Sequence, residues 1–300
     1  MVHASAALPH TPPDPRRWRV LTLISVAQFM LILDVTVVNV ALPAIGADLD
    51  LGRTALTWVV AAYTLLFGGL MLLGGRLADL LGARRLMLAG LALFTATSLA
   101  CALAQEATVL LGGRIGQGVG AALLSPAALS TITTIFHGTE RHRALGVWAA
   151  LGGAGSAAGV LLGGILTAGP GWRWIFLINV PAGLAVLAAL AALPMLAVAG
   201  TTRPSGERVD LLGALLVTTA TGALIYGLVH AGEDGWASLV TVTALATALV
   251  LYALFFLRER SVPSPSWPSP RSGWERCSSR RPRPRSPWSL RTSRGRPPAW

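Results

Sequence analysis

Two charged side chains stand inside long apolar runs of this 300-residue sequence, where only a function or a firm partner justifies them. Asp34 is flanked by Met30-Leu31-Ile32-Leu33 and Val35-Thr36-Val37-Val38. A carboxylate near the middle of a bilayer costs about 3 kcal/mol on insertion scales, so it must face protein or a water-filled cavity. There it can load and release a proton or engage a substrate. The plainer alternative is a structural partner for a helix end or an arginine. Arg114, in Leu110-Leu111-Gly112-Gly113-Arg114-Ile115-Gly116-Gln117, is the second expensive residue. Arginine keeps its charge in essentially any protein setting. It cannot carry the proton itself, but it can hold an acid or a polar group. Close to an interface it could instead snorkel to water.

Weaker candidates surround these two. Asn39 follows Asp34 by five residues, about 140° around a helix, so it shares a face with Gln28 and Thr36. That stripe either lines a cavity or hydrogen-bonds neighbouring helices. Gln117 continues the face of Arg114, and Gly113, Gly116 and Gly120 permit close approach of other helices. Gly155, Gly159, Gly163 and Gly164 form a second small-residue stripe, suited to tight packing or to a sliding interface. Between two apolar runs, Gly75-Arg76-Leu77-Ala78-Asp79-Leu80-Leu81-Gly82-Ala83-Arg84-Arg85 reads as a charged turn. In it Asp79 can accept helix-end N–H groups or pair with arginines, and the glycines permit a tight reversal.

The elements that must carry these residues are membrane helices. Hydrophobic residues make up 53% of the chain and charged ones 12%, which excludes both an ordinary soluble enzyme and a disordered chain. Runs at Val20–Leu42, Leu56–Leu73, Leu86–Leu103, Val109–Ile135, Ala144–Leu166, Ile175–Leu193, Leu211–His230 and Ser238–Leu257 are each long enough to span as helices. The first is too long for a signal peptide and leads into further spans. The fold class expected is therefore all-α, a polytopic helical membrane protein. Loop arginines set its orientation. With the N-terminus cytoplasmic, twelve arginines from Arg16 to Arg260 fall inside and only Arg53 and Arg173 outside. The organisation expected is a disordered cytoplasmic leader (1–18), a six-helix bundle (19–198) and a cytoplasmic linker (199–209). Two further helices (210–258) and a disordered tail (259–300) complete it.

Taken in order, these segments resemble the major facilitator superfamily, specifically its fourteen-span drug:proton antiporter branch. Gly75 to Arg85 is similar to the loop signature after the second helix, and Leu110 to Ala122 to the fourth-helix signature. Gly155 to Gly164 resembles the fifth-helix antiporter signature, Asp34 to Pro43 the first-helix motif, and Trp172 to Gly183 the run leading into the sixth helix. Leu80 and Ala83 stand where the loop signature has basic residues, and Val160 where the antiporter signature has proline. The resemblance implies proton-driven export of amphipathic compounds through a central cavity, across a bacterial plasma membrane. It implies Asp34 as the coupling or substrate acid and Arg114 as the charged residue of the proton path, with Gln117 and Asn39 as accompanying candidates. It also implies Gly75, Asp79, Gly82, Arg84 and Arg85 as a cytoplasmic conformational latch. The partners implied are lipid, a small-molecule substrate and protons. No cofactor is expected, the proton gradient being the energy source.

The net charge of +11 does not announce a nucleic-acid surface. All 24 basic residues are arginine, and nine of them lie in the last 40 residues against one glutamate. Ten Ser, nine Pro and four Trp fill most of the rest of that segment, which no spanning helix tolerates. An out-of-frame translation of a GC-rich gene accounts for that composition, and a chain ending this way is expected to be inactive by itself. The readings kept beside export are a fragment without independent transport, and a facilitator moving another small solute. An enzyme is not expected: the chain has no G-x-S-x-G and no H-E-x-x-H. Cys101 and Cys277 have no metal-ligand spacing, and Cys101 reads as a small packing residue.

Overall fold

A computed structural model describes residues 16–192 and 211–261. The proposed linker at 199–209 and nearly all of the leader and tail lie outside the described residues. Helices α1 (Arg16–Leu49), α2 (Arg53–Leu81), α3 (Ala83–Ala102), α4 (Ala107–Ile135) and α5 (Gly138–Ala168) form five of the spans. The sixth is divided into α6 (Arg173–Leu177) and α7 (Asn179–Ala192), and α8 (Leu211–Asp234) and α9 (Leu239–Ser261) follow. Among the described residues, eight helices are long and apolar enough to cross a membrane, and no strand is present.

The helices overrun the apolar segments that predict them, because a helix continues until a residue stops it, not until hydrophobicity ends. Arg16, Arg17 and Trp18, assigned to the leader, already belong to α1, and residues 259–261 of the expected tail belong to α9. The charged turn after the second span is mostly helix: α2 runs to Leu81, so Gly75 and Asp79 lie on its last turns. Gly82 alone breaks the path, at φ 92°, a conformation that favours glycine. The sixth span stays helical through Ile178 (φ −64°, ψ −27°) but lacks one helical hydrogen bond beside it. Pro181 has no N–H for the Leu177 carbonyl, which leaves that bond unmade and divides α6 from α7.

Small residues decide which helices touch. α4 is wedged between α2 and α3: a Cβ on Gly120 would lie 2.8 Å from the Gly90 carbonyl oxygen, and one on Gly118 2.7 Å from that of Tyr63. The stripe on α5 faces α1, where a Cβ on Gly155 would meet Ile32 at 2.9 Å, on Gly159 Thr36 at 2.6 Å, and on Gly163 Val40 at 3.0 Å. Gly164 has open space around it and does not belong to that seam. Gly120→Val is therefore expected to destabilise the bundle by about 3 kcal/mol, and Gly164→Val to leave it nearly unchanged. Reversible unfolding in mixed micelles compares the two.

Two buried apolar clusters result. One gathers Ile24, Leu31, Met87, Phe94, Leu124 and Phe136. The other gathers Val37, Ile45, Val59, Leu110, Ile175 and Phe176. Along α1 the first ends at Leu31 and the second begins at Leu33, so Asp34 sits where they meet. Outward faces of α5 and α9 leave Leu161, Ile165 and Leu249 at least 66% exposed.

Candidate functional site

Asp34 and Arg114 meet although they are 80 residues apart in sequence. Both side chains are fully buried, with Arg114 Nη1 2.5 Å from Asp34 Oδ2. Neither charge could be left in this position alone, since an unpaired ion away from water costs several kcal/mol. The local fold explains the meeting. Asp34 lies on the face of α1 turned into the bundle, opposite the α5 seam. Gly118 and Gly120 bring α4 close enough to α2 and α3 for a long arginine side chain to cross the gap.

A network completes the solvation that the bilayer cannot give. Arg114 Nε donates to the Val59 carbonyl at 3.0 Å, and Nη1 also donates to Gln117 Oε1 at 2.9 Å. Gln117 Nε2 donates to Asp34 Oδ1 at 3.1 Å and to Ser98 Oγ at 2.8 Å. Asn179 Nδ2 reaches the same Asp34 oxygen at 3.1 Å. The guanidinium carbon stands 4.4 Å from the centre of the Tyr63 ring. This aromatic face matters because Arg114 Nη2 has no hydrogen-bond partner among the described residues. Spans one, two, three, four and six thus each supply a group. Chemically, the carboxylate is held by one cation and two carboxamides, and every span of the bundle except the fifth is joined to it directly or through Arg114 and Gln117.

Of the sequence-predicted residues, the structure brings Asp34, Arg114 and Gln117 together. It leaves Asn39 apart: that side chain is exposed and donates to its own helix at the Val35 carbonyl, 2.9 Å away. Tyr63, Ser98 and Asn179 were missed as site residues. Asn179 carried a usable signal, being a carboxamide two residues before a proline inside an apolar span. Tyr63 and Ser98 carried none, since single aromatic and hydroxyl residues are ordinary in membrane helices. Cys101 packs under Gly113 and lies 3.7 Å from Gln117 Oε1, at the edge of the network.

The predicted latch residues stay around the α2–α3 reversal, away from this centre. Asp79 and Arg85 are exposed, and Asp79 has no ion pair among the described residues. Arg84 Nη2 donates to the Ala191 carbonyl at 2.8 Å, so it fastens α3 to the C-terminal turn of α7. At the other end of the bundle, Arg173 binds Asp48 at 2.6 Å, and Trp172 Nε1 donates to the same carboxylate oxygen at 3.1 Å. A cleft of about 600 Å³ opens between α2, α8 and α9, lined by Trp58, Leu65, Thr218 and Tyr226 among others. Neither Asp34 nor Arg114 lines it.

The model of the Major Facilitator Superfamily matches residues 24–213. The chain is 42% identical over 259 residues to the puromycin resistance protein pur8 of Streptomyces alboniger, covering 85% of this chain and 50% of that one. It is 40% identical over 252 residues to the multidrug resistance protein Stp of Mycobacterium tuberculosis, covering 83% and 46%. The chain thus spans about half the length of the relatives it matches. Among solved structures, the peptide transporter POT in complex with sulfate superposes with a TM-score of 0.60 at 18% identity, over 83% of this chain and 53% of that one. A bacterial homologue of the lysosomal transporter Spinster, inward-facing and occupied, gives 0.52 at 21% identity, over 84% and 63%. These distant likenesses carry the fold.

Proposed function

The chain belongs to the major facilitator superfamily, and from that premise we propose that it supplies the N-terminal bundle of a proton-coupled exporter of amphipathic, drug-like compounds. The observation that carries this reading is the fully buried Asp34–Arg114 pair, tied by hydrogen bonds to most of the bundle. A carboxyl so placed changes the strength of several interhelical contacts when it gains a proton, and that is what coupling requires. Arg114 keeps its charge throughout and acts as the fixed counter-charge, with Gln117 bridging the two. The resistance proteins it is similar to, pur8 and Stp, point to drug-like cargo. Asp79, Gly82, Arg84 and Arg85 serve as a conformational latch at the cytoplasmic end, with Gly75 on the last turns of α2. The arginine bias supports a cytoplasmic N-terminus, and the bacterial relatives support a plasma membrane.

Alternating access rocks two bundles about a site near the midplane, and the described residues provide one such bundle. The test therefore joins it to a second. A chimera carrying residues 19–198 of this chain in place of the matching bundle of pur8 is expressed in drug-sensitive cells. The expected result is puromycin efflux that collapses when an uncoupler dissipates the proton gradient. Efflux indifferent to the uncoupler, or no efflux from a properly inserted chimera, overturns the proposal.

A further inference from the structure

Asn179 occupies an unusual position: it lies beside the missing helical bond of the sixth span, at the start of α7, and is a direct ligand of the buried acid. The residue is 2% exposed, and its only side-chain hydrogen bond among the described residues goes to Asp34 Oδ1 at 3.1 Å. The stretches on either side of that weakened point are anchored elsewhere. α6 is held at its start, where Arg173 and Trp172 grip Asp48 at the end of α1. α7 is held to α3, where Gly183 packs directly on Thr95 and Arg84 binds the Ala191 carbonyl. The joint between these anchors is Ile178-Asn179, with Pro181 removing one of the helical bonds that would stiffen it.

The groups facing Asp34 rank by how firmly they are held. Arg114 comes from α4 with its charge, the Val59 carbonyl and the Tyr63 ring behind it. Gln117 is fixed by Ser98 and by Arg114. Tyr63 on α2 and Cys101 on α3 complete the titratable groups around the acid, and α6 and α7 add only the neutral Asn179. An ionised carboxylate accepts all three N–H donors. A protonated one presents an O–H and weaker acceptors, so the contact with the fewest other holds is released first.

We infer that Asn179 is a positioning residue that ties the joint of the sixth span to Asp34, so that protonation of the carboxyl frees α6 to move against α7. The inference rests on the reading of Asp34 as the coupling acid and names the element through which that acid acts. Loading the proton forms an O–H on Asp34 and breaks the Asn179 hydrogen bond. Release of the proton restores both.

The experiment uses the full chain in liposomes with a nitroxide at Ile178→Cys, a half-exposed position in the joint itself. Cys277→Ser removes the competing tail thiol, and buried Cys101 stays unlabelled. The expected result is a label that becomes more mobile in one step as the pH falls. Asp34→Asn is expected to abolish the step. Asn179→Ala is expected to abolish it too, leaving the label mobile at every pH, and Asn179→Gln, which keeps the carboxamide donor, to restore it. A step that survives in Asp34→Asn or in Asn179→Ala overturns the inference, as does a label indifferent to pH in the otherwise unchanged chain. Should Asn179→Ala fail to insert, the Asp34→Asn arm decides. Efflux by the chimera is read separately, so loss of one result leaves the other standing.

Discussion

Asp34→Asn, introduced into the efflux-competent chimera, is expected to reduce proton-driven drug export to the level of cells lacking an exporter while the protein still inserts. The substitution preserves size and leaves an oxygen able to accept hydrogen bonds, but it removes the carboxylate that side chains from α4 and α7 bind. The cation left behind loses its counter-charge, at a cost to stability that its remaining contacts reduce. Arg114 retains the Val59 carbonyl, Gln117 Oε1 and the Tyr63 face, and the new carboxamide oxygen can turn toward it. Folding therefore suffers less than coupling. Asp34→Glu, which keeps a titratable carboxyl on a longer stem, is expected to recover part of the transport. Unchanged export by the Asp34→Asn chimera, measured against equal amounts of membrane-inserted protein, would reduce the residue to a packing role.

What the sequence disclosed about this site follows from how membranes punish charge. An aspartate or an arginine in an apolar run has so few tolerable surroundings that its type alone predicts burial against a partner, and Asp34 and Arg114 announced themselves that way. Gln117 came with Arg114 because three residues along a helix is one face. Neutral polar residues give no such warning. Asn39 and Asn179 are both carboxamides in apolar spans, and the family resemblance favoured Asn39 although helix geometry puts it about 140° around from the acid. The fold gives the opposite answer, because the inward face of α1 is set by the glycine seam against α5, which turns Asn39 out. Asn179 arrives from 145 residues away, delivered by the packing of α7 on α3. The helices' extents were likewise hidden, since hydropathy marks where lipid is and not where a helix stops. α2 passes through the charged segment to Gly82 for that reason.

The second large effect concerns folding. Arg114→Leu, in the chain itself, is expected to destabilise the bundle by about 3 to 5 kcal/mol, because it leaves Asp34 buried with two carboxamides and no counter-charge. Arg114→Lys is expected to lie between the two. It keeps a charge, but the ammonium has no planar fork to reach Asp34, the Val59 carbonyl and Gln117 together, and its fit on the Tyr63 face is poorer. The decisive comparison is the double variant. If the loss in Arg114→Leu comes from an uncompensated carboxylate, adding Asp34→Leu removes its cause, and Arg114→Leu/Asp34→Leu should be more stable than Arg114→Leu alone. If the loss instead came from the gap left by a long side chain, the second substitution would add to it, because a further set of hydrogen bonds to Gln117 and Asn179 would go. Unfolding in mixed micelles, read by loss of helical circular dichroism, separates these outcomes. An Arg114→Leu chain as stable as the unsubstituted one would mean that the paired charges contribute nothing to holding spans one and four together. A double variant that recovers stability in the chain but no transport in the chimera would assign the pair to coupling, retained at the expense of a bundle that folds as well without it.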